Sequence, residues 1–369
     1  MEKRRLVLNQ NVTIKEHHDR VELILDERRI KVNLTVKAFM FLKNMLEARI
    51  VKDELDSMKN PHLKELISPL YFNDILLTEE EDELLKFGVL YNPARMQNAA
   101  SPIPERRIEK WCFFGAPADF ALDPPRSPAH GPYIYRKLGE SHREMMDLGD
   151  IAYTTADDIY RFGKKIQHVI RRIREKNNRV MMFGGDHSLT YFVLKELSQI
   201  NKDIILIQFD AHSDINTTKN KINDLLYHAN FVSKLLDEKS LSGVIQIGVR
   251  EQNLRYETDY LVQNTVLQLP DKLGLEEGKK IKNMINGKHV YITFDADTLD
   301  PKIFPHVTTP LDNGLSEEDV LYAVDIIRNS GCDIIGADIM EFTCGFDEKG
   351  QLFNHEISLL DRVITRIIK

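Results

Sequence analysis

The chain has 369 residues, of which 42% are hydrophobic and 29% are charged, and its formal net charge is −7 at pH 7. These values are typical of soluble globular domains and exclude collagen, coiled-coil and fully disordered architectures. The negative charge argues against a surface that captures nucleic acid through its phosphates, so no nucleic-acid partner is expected.

Targeting signals and cysteines indicate where the protein works. No segment reaches the roughly 18 uninterrupted apolar residues of a membrane helix, and the N-terminal MEKRRLVLNQ lacks the apolar stretch of a signal peptide. The 3 cysteines form no CxxC pair, which argues against a disulfide framework or a Cys-rich zinc site. We therefore expect a cytoplasmic protein with no membrane partner.

Residues 1–86 predict a small module of mixed secondary structure. The predicted elements are, in order, strands at 12–16 and 21–25, helical runs starting at 33, at 51 and near 62–68, and a strand at 70–77. This order is similar to a winged-helix-like α+β domain. Acidic and proline-containing segments then predict a linker at 87–107.

From residue 108 to 369, short apolar strands alternate with longer helical patterns. The strand patterns are WCFFGA, VMMFGG, DIILIQFD, VIQIGVR, HVYITFDAD and CDIIGADIM. The helical patterns lie within 156–175, after 188, near 228–236, at 316–328 and from about 356. Apolar strands separated by helices are typical of a parallel sheet covered on both faces, so we predict an α/β domain with three α/β/α layers.

Three of these strands end in acidic and imidazole side chains: GGDHS at 184–188, DAHSD at 210–214 and DAD at 295–297. Ligands of open α/β sheets bind beyond the carboxyl ends of the strands, so the three segments can meet in one crevice. Alternate residues of an extended segment face the same way, which lets Asp210, His212 and Asp214 point together.

A metal site would explain so many carboxylates in one place. Four clustered carboxylates repel one another unless cations neutralise them, and their formal charge balances two divalent ions. A single Asp-x-His is usually a turn or a cap, but three such clusters favour a metal. An oxygen-rich set with two imidazoles suits Mn²⁺, while Co²⁺, Fe²⁺ and Zn²⁺ stay open. The candidate ligands are His187, Asp210, His212, Asp214, Asp295 and Asp297.

With these motifs and the following Asp300-Pro301, residues 108–369 resemble the ureohydrolase family of arginases and agmatinases. The resemblance implies an arginase-like fold and two Mn²⁺ ions that activate water to split a guanidino group into an amine and urea. It implies two ligand sets: His187, Asp210, Asp214 and Asp295 for one ion, and Asp210, His212, Asp295 and Asp297 for the other.

The same resemblance implies two catalytic residues. His228 matches the histidine that returns a proton to the leaving amine, and Glu341 matches the acidic residue that pairs with the guanidinium. A histidine that caps a helix and an ordinary carboxylate at a strand end are the alternative interpretations.

Two asparagines concern substrate choice. Asn216 resembles the arginase residue on the α-carboxylate side of the substrate. Asn253 stands where arginases carry an aspartate that helps to bind the α-ammonium. The sequence also departs from the family pattern at Ala229 and in 307–310. These departures leave the guanidinium chemistry intact but disfavour free arginine.

Our leading hypothesis from the sequence is a peptide arginase that converts arginine side chains of a ribosomal precursor peptide to ornithine. The N-terminal module would bind the leader peptide, since it resembles the leader-recognition elements of such modifying enzymes. The alternative is a ureohydrolase for a free small guanidino compound such as agmatine. A zinc deacetylase and a DNA-binding regulator are the more distant rivals, and homo-oligomerisation stays open.

Overall fold

The computed structural model describes residues 5–9, 12–25, 30–48, 65–67, 69–70, 75–78, 111–120, 127–139, 145–154, 157–175, 177–217, 225–251, 258–270, 272–343 and 354–369. The chain divides into two compact units, one of residues 1–89 and 100–107 and one of residues 90–99 and 108–369. The predicted linker at 87–107 lies outside the described residues, so the predicted domain limits stay predictions.

The described elements of the N-terminal unit are β1 (Leu6–Leu8), β2 (Thr13–Glu16), β3 (Arg20–Leu25), β4 (Ile30–Thr35), α1 (Val36–Glu47) and β5 (Leu76–Thr78). Strands β2, β3 and β4 form an antiparallel sheet, and β1 pairs with β5. Val21, Leu23 and Leu25 of β3 are buried with Leu42 and Met45 of α1 in one hydrophobic core.

The predicted strands at 12–16 and 21–25 are confirmed, but the start of the first helix was wrong. Residues 30–35 form β4, and α1 begins only at Val36, where Thr35 Oγ1 accepts a hydrogen bond from the Ala38 amide. The predicted strand at 70–77 was too long, because Leu70 is helical and the strand begins at Leu76. The predicted helical residues 51–64 lie outside the described part, and the winged-helix-like arrangement stays a prediction.

The second unit contains an eight-stranded sheet. Its strands are β6 (Trp111–Ala116), β7 (Met145–Asp150), β8 (Arg179–Gly184), β9 (Ile204–Phe209), β10 (Gly243–Ile247), β11 (Val266–Leu269), β12 (His289–Asp295) and β13 (Asp333–Met340). They lie in the order β11-β10-β9-β12-β13-β8-β6-β7, and every described pair is parallel.

The described helices of this unit are α2 (Gly131–Leu138), α3 (Ile159–Glu175), α4 (Thr190–Ile200), α5 (Phe231–Asp237), α6 (Thr258–Gln263), α7 (Leu275–Ile285), α8 (Glu317–Arg328) and α9 (Asn354–Ile368). Phe113, Met181 and Ile207 share a core with α7, α8 and α9. Their strand neighbours Phe114 and Met182 are also buried. Since neighbouring strand residues face opposite sides, both faces of the sheet are covered, and the predicted α/β architecture is confirmed.

All six predicted strands of this unit are present, and the two strands that the sequence did not indicate, β7 and β11, are the edges of the sheet. Edge strands need less apolar sequence than central ones: three of the four β11 residues are only half-buried, and β7 buries the charged Asp147 and Asp150 against Arg136. Within the described residues, no helix is both long and apolar enough to cross a bilayer.

Candidate metal centre

The site lies at the carboxyl ends of the four central strands. Strands β9, β12, β13 and β8 are consecutive neighbours in the sheet, although they are far apart in sequence. The parallel direction puts the segments that follow them at one edge, which is where the topology of such sheets places ligands. DAHSD follows β9, DAD ends β12, Glu341 follows β13 and GGDHS ends β8.

One group of candidate ligands surrounds His187. Its Nδ1 atom lies 3.1 Å from Asp210 Oδ2, 3.0 Å from Asp214 Oδ2 and 3.2 Å from Asp295 Oδ2. All four side chains are buried. Among the described residues, none makes a hydrogen bond of good geometry with His187 Nδ1. A buried nitrogen lone pair facing three carboxylate oxygens is an arrangement that a cation satisfies.

A second group lies next to the first and shares one residue with it. His212 Nδ1 is 3.0 Å from Asp297 Oδ2 and 3.6 Å from Asp210 Oδ1. The backbone amide of Asp297 donates to Asp295 Oδ1 at 2.9 Å, which fixes the Asp295 carboxylate beside the second group. Ligand atoms of Asp210, His212 and Asp297 are close enough to hold one ion, as are those of His187, Asp210 and Asp214. The structure therefore brings all six candidate ligands together.

The electrostatics of this cluster favour positive charge. Burial and the charge of Asp210 raise the pKa of Asp214 to about 8, while burial and the charges of Asp297 and Asp210 raise the pKa of Asp295 well above its usual value. Burial lowers the pKa of His212, but Asp297 and Asp210 outweigh burial and raise it to about 12. Protons and metal ions are the two kinds of cation that such a cluster can hold.

A buried chain of hydroxyl groups orients His187. Thr293 Oγ1 donates to Asp338 Oδ1 at 2.6 Å and lies 2.7 Å from His187 Nε2. Tyr291 and Thr190 also donate to Asp338, at 2.8 and 2.9 Å. Since the Thr293 proton is used on Asp338, Thr293 accepts the proton of Nε2, and the lone pair of Nδ1 faces the carboxylates. Sequence reasoning missed this chain, although Asp338 is a charged residue inside an apolar strand.

His228 lies in a short 3₁₀ helix, His228–Asn230, which contacts the corresponding helix His187–Leu189. The centroids of the Phe231 and His187 rings are 4.6 Å apart. Burial lowers the pKa of His228, although the charge of Asp186 opposes that effect. Burial therefore favours the neutral form of the His228 ring, and the helix that carries His228 lies next to the helix that carries the candidate ligand His187.

Asn216 and His228 lie on connected segments. The Asn216 amide nitrogen Nδ2 donates to the Tyr227 hydroxyl at 2.5 Å, and the Asn216 backbone donates to the Ala229 carbonyl at 3.1 Å. Asn216 thus supports the segment that carries His228. Asn253 lies outside the described residues, and its predicted role stays a prediction.

Glu341 occupies a strained position beside the cluster. Its φ of 57° is in the left-handed region, which is unfavourable for a non-glycine residue. Its Oε1 accepts from the His187 amide at 2.7 Å and its Oε2 from Thr308 Oγ1 at 2.5 Å. Burial and the charge of Asp186 raise its pKa to about 8.

The segment 307–310, noted in the sequence only as a departure from the family pattern, contacts both halves of the site. Thr308 donates to Glu341, and Thr309 Oγ1 donates to Asp297 Oδ2 at 3.1 Å. Short polar side chains in a loop give little sequence signal, and their importance follows only from where the loop lies.

The family model of the arginase family matches residues 109–364. The chain therefore belongs to the arginase family, the ureohydrolases, which are hydrolases of guanidino C–N bonds with a binuclear metal centre.

Curated relatives agree with this assignment, and solved structures share the fold. An agmatinase from Proteus mirabilis is 27% identical over 301 residues, which cover 75% of this chain and 92% of the relative. The fold matches proclavaminate amidino hydrolase from Streptomyces clavuligerus with a TM-score of 0.62, at 22% identity over 76% of this chain and 97% of the other. It also matches arginase from Bacillus subtilis with a TM-score of 0.59, at 19% identity over 70% and 98% of the two chains.

Proposed function

We propose that this protein hydrolyses a free small guanidino compound to an amine and urea. The observation that carries the proposal is the pair of His/Asp groups that share Asp210 at the ends of the central strands. The agmatinase relatives favour a small substrate, and the peptide hypothesis becomes the second candidate.

The six clustered residues fit two divalent ions, with Mn²⁺ as the preferred metal. His187, with Asp210 and Asp214 beside it, would hold one ion, and His212 with Asp210 and Asp297 would hold the other, while Asp295 would serve both. The donor set is oxygen-rich with two imidazoles, and His187 already presents a lone pair. When bound, the ions balance the four carboxylates and lower the pKa of water.

Two residues would act on the substrate itself. Glu341 is held by hydrogen bonds on both carboxylate oxygens, so its direction is fixed before a guanidinium arrives. Burial and Asp186 raise the pKa of Glu341 to about 8, and an arriving guanidinium cation would favour its ionised form, which can accept two parallel hydrogen bonds. His228 would pass a proton to the leaving amine, since a neutral imidazole accepts and returns protons near pH 7.

Asn216 and Asn253 would set the preference among guanidino compounds. An amide at 253 cannot ion-pair with an α-ammonium as a carboxylate can, so it disfavours free arginine, and the preference for a compound such as agmatine rests on the agmatinase relatives.

The deciding experiment measures urea release by the Mn²⁺-loaded protein from agmatine, arginine, a guanidino acid and arginine-containing peptides. We expect turnover of a free compound, with peptides slower by at least about tenfold in kcat/KM. The matched control is Asp210→Asn, which should release no urea from any of them. Absence of urea from every free guanidino compound would overturn the proposal.

The second candidate is a peptide substrate, and the N-terminal sheet favours it. All residues of β2 are exposed, and among the described residues only β3 pairs with it. An extended peptide can add to such an edge through main-chain hydrogen bonds. Faster conversion of peptidyl arginine than of any free compound in the same assay would establish this candidate.

A further inference from the structure

Three glutamines link the edge of the sheet to the metal centre. Gln208 of β9 pairs in register with Gln246 of β10, which pairs with Gln268 of β11. The side chains of Gln208 and Gln246 are fully buried. Buried amides are costly unless hydrogen-bonded, so two of them in one row with the half-buried Gln268 require an explanation.

The three amides bond to one another in sequence. Gln268 Nε2 donates to Gln246 Oε1 at 2.9 Å, and Gln246 Nε2 donates to Gln208 Oε1 at 2.7 Å. Gln208 Nε2 then donates to Asp210 Oδ2 at 2.8 Å and to Asp214 Oδ2 at 3.3 Å. The row thus ends on two candidate metal ligands.

The direction of this row is fixed by groups that can only accept. Gln246 Nε2 also donates to the Ser213 carbonyl at 2.6 Å, and a carbonyl oxygen has no proton to give. The orientation of Gln246 is therefore set, its nitrogen faces Gln208 Oε1, and Gln208 must turn its NH₂ group toward the carboxylates. If the side-chain amide of Gln208 or of Gln246 alone were reversed, its oxygen would face another acceptor oxygen.

We propose that Gln208 is a positioning residue of the metal centre and that Gln246 and Gln268 fix its orientation. This proposal deepens the proposed function, because it assigns a role at the same site. The oxygens that Gln208 contacts also lie beside His187 Nδ1, so the amide holds Asp210 and Asp214 where one ion needs them.

An amide is suited to this task because it is neutral. It donates hydrogen bonds to both carboxylates without adding charge, so their negative charge stays available for the cations. A lysine at 208 would compete with the metal, and a glutamate would add a repelling charge.

The test measures Mn²⁺ affinity by calorimetric titration of metal-free protein. Gln208→Met keeps the volume and removes the donor, and we expect affinity to fall by about 10–100-fold, as for other residues that orient metal ligands. Gln246 contacts no ligand carboxylate, so Gln246→Met should lower the Mn²⁺ affinity less than Gln208→Met does, though still by a few-fold. Gln268→Met should lose least, and the exposed Gln199→Met is the control without effect.

Each variant is compared with the parent by thermal unfolding without metal, so that only folded proteins are scored. If Gln208→Met does not fold, Gln246→Met carries the test. Unchanged Mn²⁺ affinity in the folded Gln246 and Gln208 variants would overturn the proposal. Because the readout is metal affinity, absence of urea from every substrate would refute the proposed function and leave this result intact.

Discussion

Asp210 is the residue on which both ligand groups depend. Its Oδ2 faces His187 and its Oδ1 faces His212, so one carboxylate serves two positions. We expect Asp210→Asn to abolish urea release and most metal binding, because it removes a charge that both ions share. Asp214 belongs to one group, and Asp214→Asn should keep more metal. The metal content per chain after dialysis distinguishes the Asp210→Asn and Asp214→Asn variants. If Asp210→Asn stayed active and kept two tightly bound ions, the assignment of Asp210 to both ligand groups would be contradicted.

His228 can be tested separately from the metal. If it returns a proton to the leaving amine, His228→Asn should lower turnover by about a hundredfold or more while metal content stays normal. The measurement is kcat at saturating Mn²⁺ together with the metal content. A variant with parental kcat would make His228 a structural residue.

Thr308 is expected to determine how well Glu341 receives a guanidinium. Hydrogen bonds to charged groups contribute ~1.5–3 kcal/mol, so Thr308→Val should raise KM by about tenfold or more with Mn²⁺ affinity unchanged. Thr308→Ser keeps the hydroxyl and is the matched control, with KM close to the parent. Equal KM values in the Val and Ser variants would show that the 2.5 Å contact has no role in binding.

At the scale of elements, a buried ion pair anchors the start of α3. Lys165 Nζ donates to Asp157 Oδ2 and to the Ala152 carbonyl, both at 2.8 Å, and both charged side chains are almost fully buried. Burial raises the pKa of Asp157, but hydrogen bonds from Lys165 and Thr154 outweigh it and leave the pKa lowered.

This ion pair predicts a pH dependence of stability. Because the folded-state pKa of Asp157 is lowered, its contribution is complete above the unfolded pKa of about 3.9 and is lost as pH falls through the folded pKa. Asp157→Asn leaves the Lys165 charge without its partner and should cost ~3–5 kcal/mol at pH 7. The measurement is the free energy of unfolding in denaturant for this variant and for the control Asp158→Asn. Asp158 is an exposed neighbour that accepts a hydrogen bond from the Arg161 amide, and an asparagine can make the same helix cap. Similar stability of the two variants would contradict the prediction.

At the scale of the whole molecule, the metal centre should couple to folding. Four buried carboxylates repel one another without cations, so Mn²⁺ should stabilise the folded protein. At a free Mn²⁺ concentration 100 times its Kd, each independent site adds ~2.7 kcal/mol to the free energy of unfolding. The measurement is the thermal unfolding midpoint with Mn²⁺ and after chelation. Asp210→Asn should show almost no shift, and an equal shift in both proteins would contradict the coupling.

Metal affinity should also rise with pH. The pKa of His212 is raised to about 12 and that of Asp214 to about 8 in the metal-free cluster, so binding must displace protons. The apparent Kd for Mn²⁺ should therefore be lower at pH 8 than at pH 6.5. Calorimetry in two buffers of different ionisation enthalpy counts the released protons, and zero release would contradict the pKa shifts.

The sequence by itself determined the central strands and the six candidate ligands. Both follow from local rules: apolar runs predict buried strands, and acidic groups directly after them predict a site at the sheet edge. The same rules missed β1, β4 and the edge strands β7 and β11. Strand β1 has only three residues, β4 and β11 are only partly buried, and β7 contains two buried charged residues, Asp147 and Asp150, so none of them forms a conspicuous apolar run.

The tertiary structure decided which side chains meet. The strand order β9-β12-β13-β8 differs from the chain order, and it puts Thr293 between His187 and Asp338. A separate bridge between Val307 and Phe342 puts Thr308 against Glu341. Gln208, Gln246 and Gln268 are polar residues inside apolar strands, a signal visible in the sequence. Their meaning depends on register, because a shift of one residue would turn each amide to the opposite face.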